Sequence, residues 1–169
     1  MGTKRIGLAR TQALIENLKR SLDLGGSDLK NQKSPILLIE NGAAAAEVET
    51  TDSGKIIMID ASTASTNLTV TIPTPAGNMG LDYTFILIAD SHSASEVLLD
   101  SQLTNGIKGM SIELAADMAD GNAVVNISAQ KLGFKDSAKI GSRIRLVSDG
   151  DFYFVVDAVS DLATITSFT

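Results

Sequence analysis

Arg143-Ile144-Arg145-Leu146-Val147-Ser148-Asp149-Gly150-Asp151-Phe152-Tyr153-Phe154-Val155-Val156 is the stretch on which the fold turns. From Arg143 to Leu146 charged and apolar residues alternate, which puts Arg143 and Arg145 on one face of a strand and Ile144 and Leu146 on the other. Asp149-Gly150 suits the positive φ angles of a two-residue type I′ turn, whose twist matches a pair of antiparallel strands. The run from Asp151 onward is aromatic and β-branched, so the stretch reads as a hairpin with one core face and one solvent face.

The same period of two recurs through the chain after Pro35. Asn67-Leu68-Thr69-Val70-Thr71-Ile72 alternates cleanly, with Leu68, Val70 and Ile72 on the buried side. Further strands are expected over Lys55–Asp60, Tyr83–Ala89, Glu96–Leu99, Met110–Leu114, Ala123–Ser128 and Ala163–Phe168. The Ala43–Ala46 run reads as a loop or a short helical turn. Many short strands at close spacing, with no amphipathic helix between them, predict a mainly β fold: an antiparallel β-sandwich or barrel-like domain spanning residues 34–169.

Residues 1–33 follow a different rule. Leu8, Thr11, Ile15, Leu18 and Leu22 recur at alternating intervals of three and four, Leu14 widens the stripe, and Arg10, Glu16, Asn17, Lys19 and Arg20 fall off it. This predicts an N-terminal amphipathic α-helical arm that stops at Leu24-Gly25-Gly26-Ser27, where glycine permits a left-handed cap. A polar linker then leads to Pro35. The stripe fits two arrangements: docking onto the chain's own β-domain, or an a/d heptad seam between copies. A helix this short is marginal alone in water, so either arrangement needs a supporting surface.

Charge divides the chain at the same place. Residues 1–33 hold seven basic and three acidic residues, a net of +4, whereas residues 34–169 hold seven basic and 17 acidic, a net of −10. An acidic main body repels phosphates, so no nucleic-acid partner is expected. The basic arm lacks the interleaved aromatics of a single-strand or membrane-surface binder. No apolar run is long enough to span a bilayer and no leader pattern is visible, which predicts a soluble chain with no membrane partner.

The inventory of reactive groups is small. With no cysteine and one histidine, thiolate chemistry, disulfides and multi-histidine metal centres are excluded within one chain. His92, in Asp90-Ser91-His92-Ser93, has triad-like neighbours, but residues adjacent in sequence rarely converge on one reacting atom and no Gly-x-Ser-x-Gly elbow is present. Asp117 and Asp120-Gly121 faintly resemble a calcium loop, yet the alternating oxygen ligands of such a loop are missing. No glycine-rich phosphate loop occurs. These readings predict no enzymatic activity, no cofactor and no metal.

Ile72-Pro73-Thr74-Pro75-Ala76-Gly77, followed by Leu81-Asp82-Tyr83-Thr84-Phe85-Ile86 and by Gly141 to Gly150, resembles small structural domains of tailed-bacteriophage virions, as found in head decoration or cement proteins and in head or tail fibres. The opening, from Met1 to Arg20, is similar to the starts of structural proteins of cyanophage-type viruses. Such domains often carry Trp after the Ser-Asp-Gly turn, where this chain has Phe152-Tyr153-Phe154. The resemblance implies a non-enzymatic capsid-surface protein, usually homotrimeric, made in the host cytoplasm and assembled onto the virion, with the major capsid protein and itself as partners. On that reading Leu8, Thr11, Ile15, Leu18 and Leu22, together with Lys4, Arg5 and Arg10, form the oligomer or capsid interface. The alternative is a fibre or adhesin module that binds a host-surface glycan.

Overall fold

A computed structural model describes residues 35–40, 42, 44–62, 66–91, 95–114, 123–161 and 165–168. All belong to the compact unit Ser34–Thr169. The helical arm and linker assigned to 1–33, with Lys4, Arg5, Leu8, Arg10, Thr11, Ile15, Leu18 and Leu22, lie outside the described residues.

The fold is mainly β. The strands are β1 (Ile36–Ile39), β2 (Ala45–Glu47), β3 (Ile56–Ile59), β4 (Leu68–Thr71), β5 (Asp82–Leu87) and β6 (Val97–Asp100), then β7 (Ile107–Leu114), β8 (Ala123–Ala129), β9 (Lys131–Phe134), β10 (Arg143–Ser148), β11 (Tyr153–Asp161) and β12 (Ile165–Phe168). They form a seven-stranded sheet in the order β1-β3-β5-β10-β11-β7-β8 and a five-stranded sheet in the order β12-β9-β6-β4-β2.

The sheets are mixed, which corrects the expectation of antiparallel pairing throughout. β1, β3 and β5 are parallel neighbours in one sheet, and β2, β4 and β6 are parallel neighbours in the other. Parallel neighbours need a long crossover, for which a helix is the usual solution. Here a strand of the opposite sheet does that work: the chain leaves β1, runs through β2, and returns to β3 beside β1. Close spacing without helices is therefore compatible with parallel pairing, because successive strands alternate between sheets. Antiparallel pairs join β10 with β5 and β11, β7 with β8, and β9 with β6 and β12, while β7 and β11 are again parallel neighbours.

The inward faces of the two sheets supply one apolar cluster. Ile57, Ile59, Tyr83, Phe85, Leu87, Ile144 and Leu146 come from the larger sheet, and Leu68, Val70, Val97, Leu99, Leu132 and Phe134 from the smaller. Each large side chain buried in this way stabilises the fold by roughly 1.5–3 kcal/mol relative to exposure. The alternation read in β4 and β10 is the one observed: Leu68, Val70, Ile144 and Leu146 are buried, while Arg143 and Arg145 are exposed.

Two local expectations change. The Ala45–Glu47 segment is a strand and not a helical turn. The hairpin between β10 and β11 forms, but the Asp149 N–H donates to the Phe152 carbonyl at 3.1 Å, so the tip residues are Gly150 and Asp151. Gly150 has φ +100° and no flanking residue shares a positive φ. This is the glycine-first pattern of a type II′ turn, one residue later than the Asp-Gly reading. Asp149 instead acts through its carboxylate, which accepts the N–H groups of Asp151 and Phe152 at 2.9 and 2.8 Å.

Both tyrosines are fully buried, and each hydroxyl is satisfied by a backbone carbonyl: Tyr83 donates to Glu49 at 3.0 Å and Tyr153 to Pro73 at 2.9 Å. Burial, with the nearby Asp52 charge, pushes the Tyr83 phenol up to about 12. Burial raises Tyr153 as well. A raised phenol pKa contributes stability that is fully present below the unfolded-state value and is lost as pH rises through the folded-state value. Ultraviolet titration should therefore show no tyrosinate signal as pH passes 10, the ordinary value, while circular dichroism still reports a folded chain. Stepwise ionisation near pH 10 without unfolding would contradict the buried placement.

Gly133 in β9 is packed so tightly that a Cβ there would run into the Val97 carbonyl of β6. Because the obstacle is backbone, Gly133→Ala should destabilise by about 3 kcal/mol or more, measured by denaturant unfolding.

Candidate functional site

The outer faces of the two sheets differ in chemistry. On the smaller sheet the described outward positions include Ala45, Glu47, Thr69, Thr71, Asp100 and Lys131, with Lys131 paired to Asp100 at 3.1 Å, and the nearly buried Leu98 in the row of Thr69. On the larger sheet they include the exposed apolar residues Ile36 and Leu38 of β1, Met110 of β7, and Phe154 and Val156 of β11. Among the residues whose burial the structure describes, every exposed large hydrophobic within a strand lies on this seven-stranded sheet. The other two, Met79 and Ile140, stand in turns.

Register explains how these residues assemble. Leu38, Met58, Ile86 and Arg143 form one row across β1, β3, β5 and β10, and Ile36, Ile56, Thr84, Arg145 and Asp157 form the next. The result is an apolar patch of Ile36, Leu38, Ile56, Met58 and Ile86 at the β1 side. Phe154 of β11 lies opposite Lys108 of β7 and begins a second apolar area, with Val156 beyond it. Val156 has no partner in β10, because the register shifts between Arg145 and Leu146. Such a bulge re-aims a side chain, and Val156 is left 57% exposed.

Between the two patches runs a charged bar that is internally paired. Arg145 binds Asp82 through two bonds, Nε to Oδ1 at 2.9 Å and Nη2 to Oδ2 at 2.6 Å. Arg143 Nε donates to Asp157 Oδ2 at 2.6 Å. The Asp82 hydrogen bonds and charge raise the Arg145 guanidinium above its ordinary value. Lys108 holds its ammonium 3.3 Å from the Phe152 ring centroid, a cation–π contact. With its acids and bases matched, the bar adds little net charge to the face.

The residues singled out from sequence are distributed elsewhere. His92, Asp117 and Asp120 lie outside the described residues. Asp90 accepts the Ile140 N–H at 2.8 Å and pairs with Lys139 at 3.1 Å; these bonds hold its carboxyl below the usual range. Asp149 is lowered by the Phe152 and Asp151 N–H groups, so both are turn residues by their bonding. Among the described residues no group of three or more His, Asp or Glu could hold a metal ion, and no helix is long and apolar enough to cross a membrane. A shallow hollow lined by Leu38, Glu40, Asp60 and Ile88 opens beside the end of β1. The β1 patch escaped the sequence reading because Ile36-Leu37-Leu38-Ile39 is uniformly apolar and shows no alternation. Its signal was the short apolar run bounded by Pro35 and Glu40.

No protein-family model matches this chain, and no curated protein matches it. What the fold and the face define is a β-structured chain with two mixed sheets and one outer sheet surface suited to contact.

Phe154 and Val156 make few demands on the core, so Phe154→Ser combined with Val156→Thr should change stability by no more than about 1 kcal/mol. The same variant should bind a hydrophobic dye more weakly than the parent. Equal dye fluorescence in both would show that this area is not an accessible apolar surface.

Proposed function

We propose that this chain is a non-enzymatic virion structural protein that decorates and stabilises a phage capsid surface, acting as a homotrimer bound to the major capsid protein. The observation that carries the reading is the concentration of exposed apolar strand residues on one sheet face. A chain that works by surface contact needs such a face, and contiguous exposed apolar area on a folded chain marks an interaction surface. The resemblance of Ile72 to Gly77 and Gly141 to Gly150 to decoration and fibre domains supports the choice of a capsid as the large partner.

On this reading the domain from 34 to 169 is a two-sheet β-sandwich and the arm from 1 to 33 is helical. Lys4, Arg5 and Arg10 meet acidic partner surface, and Leu8, Thr11, Ile15, Leu18 and Leu22 form the seam between copies or with the shell. Cement proteins stabilise by mass action: binding the assembled shell and not its alternatives shifts the equilibrium toward it. The protein is made in the host cytoplasm and resides on the capsid surface. No cofactor, metal, membrane or nucleic acid takes part. A second reading, a fibre or adhesin module for a host-surface glycan, is favoured by one observation, the exposed aromatic ring of Phe154 beside Lys108.

Co-sedimentation with purified capsids tests the proposal. The parent chain should saturate the shell, whereas Leu18→Asp, which places a charge in an apolar seam, should lower both oligomer mass and occupancy, at a cost of several kcal/mol, on the order of that for an unpaired buried charge. Unchanged mass and occupancy would remove the arm from the account. Binding to a glycan surface in place of the shell would select the second reading.

A further inference from the structure

We propose that β1 is a pairing edge between two copies of this chain, the β1 strand of one copy adding antiparallel to the β1 strand of the other. β1 ends the order of the seven-stranded sheet, and among the described residues it has a strand neighbour, β3, on one side only. A free edge presents a row of backbone donors and acceptors to any extended segment that can approach it. Ile36-Leu37-Leu38-Ile39 carries none of the usual defences: no lysine, no inward charge, no bulge. The other three edges carry polar residues, which β1 lacks: β12 has Thr166 and Ser167 in its sequence. β2 carries the exposed Glu47, and β8 has Asn126 and Ser128 in its sequence.

Three observations select a second copy as the occupant. First, the outward side chains of β1 are exposed, Ile36 at 57% and Leu38 at 50%, and the patch continues in register onto Ile56, Met58 and Ile86. Continued across the joint, Ile36 of one copy and Leu38 of the other become apolar cross-strand pairs, where like charges would repel. Second, residues 34–169 carry a net charge of −10, so two copies meet best through a surface free of acids. The described strand residues of β1 and β3 contain no charge. Third, the acids bordering this edge stand at one end of it: Glu40 follows β1 and Asp60 follows β3, while Lys55, at the start of β3, is already paired with Asp52 at 2.7 Å. Two identical edges related by a two-fold axis run antiparallel, which keeps the acidic end of one copy away from the acidic end of the other.

The side-chain period fixes the register further. Residues directly opposite in one continuous sheet point to the same side, so pairing centred on Leu37 places Ile36 of one copy opposite Leu38 of the other. This two-fold contact is independent of the capsid reading and of the helical seam. If a three-fold seam is present as well, the β1 contact links one trimer to the next.

The cysteine-free sequence makes a clean probe available. Full-length Leu38→Cys, treated with a short bis-maleimide, should give covalent dimers at least about tenfold more efficiently than Met79→Cys, a control at an exposed turn residue, because partners held in a complex meet at high effective concentration. Full-length Leu38→Lys, checked for folding by circular dichroism, should lose the two-fold contact in sedimentation equilibrium. Leu18→Asp should keep it, which separates this interface from the helical seam. Cross-linking of Leu38→Cys no better than that of Met79→Cys would overturn the proposal, as would an unchanged mass for a folded Leu38→Lys.

Discussion

Two buried tyrosine hydroxyls fix the points at which the chain passes from one sheet to the other. Glu49, which accepts from Tyr83, lies on the connection from β2 to β3, and Pro73, which accepts from Tyr153, lies on the connection from β4 to β5. The rings are neighbours, their centroids 6.3 Å apart and tilted. A buried hydroxyl without a partner costs about 1–3 kcal/mol, and so does a buried carbonyl, so each crossing is held where its tyrosine can reach it. Parallel winding places β3 beside β1 and β5 beside β3 only if these crossings keep their positions. The corner at Glu49 is reinforced by Asp52, whose carboxylate accepts the Glu49 N–H at 2.8 Å and Lys55 at 2.7 Å. Burial works against that charge, but the Lys55 and Glu49 bonds outweigh it and leave the carboxyl below its ordinary range.

With the inward faces committed to one cluster, the outward faces are free to differ. The smaller sheet shows mostly small and polar residues to the outside, its Leu98 being nearly buried, whereas the larger shows exposed isoleucine, leucine, methionine, phenylalanine and valine around a bar of ion pairs. The pairs Arg145–Asp82 and Arg143–Asp157 contribute little stability at such exposure. Their effect is on charge: they keep the face near neutral within an acidic body. An approaching surface then meets apolar area without meeting uncompensated carboxylates, which is the condition for a contact that is specific and not merely sticky.

The 72–80 segment and the tip of the β10–β11 hairpin come together in space. The Gly77 N–H donates to the Gly150 carbonyl at 2.9 Å, the Gly80 N–H to the Ser148 carbonyl at 2.8 Å, and Tyr153 reaches Pro73. Gly77, Gly80 and Gly150 all have positive φ, which glycine adopts without strain. The 72–80 turn and the hairpin tip thus form one structural joint. Their residue types answer to backbone geometry and do not by themselves locate a contact surface.

How much was legible in the sequence follows from how local each feature is. Alternation in Leu68–Thr71 and Arg143–Ser148 depends only on the two-residue period of a strand, and it told which side chains are buried. The Asp149-Gly150 signal marked a hairpin, though tertiary contacts at Gly77 and Gly80 accompany a tip shifted by one residue. Net charge and the lack of cysteine were equally plain. The sequence by itself determined that residues 34–169 make strands and which faces of several of them are apolar. Only the tertiary structure decided which strands are neighbours, because pairing joins residues far apart in the chain and a crossover can be made by a strand as well as by a helix. The same reason hid the candidate site. Ile36, Met58, Ile86, Arg143 and Asp157 belong to five different strands, and nothing but the register of one sheet brings them to a common face.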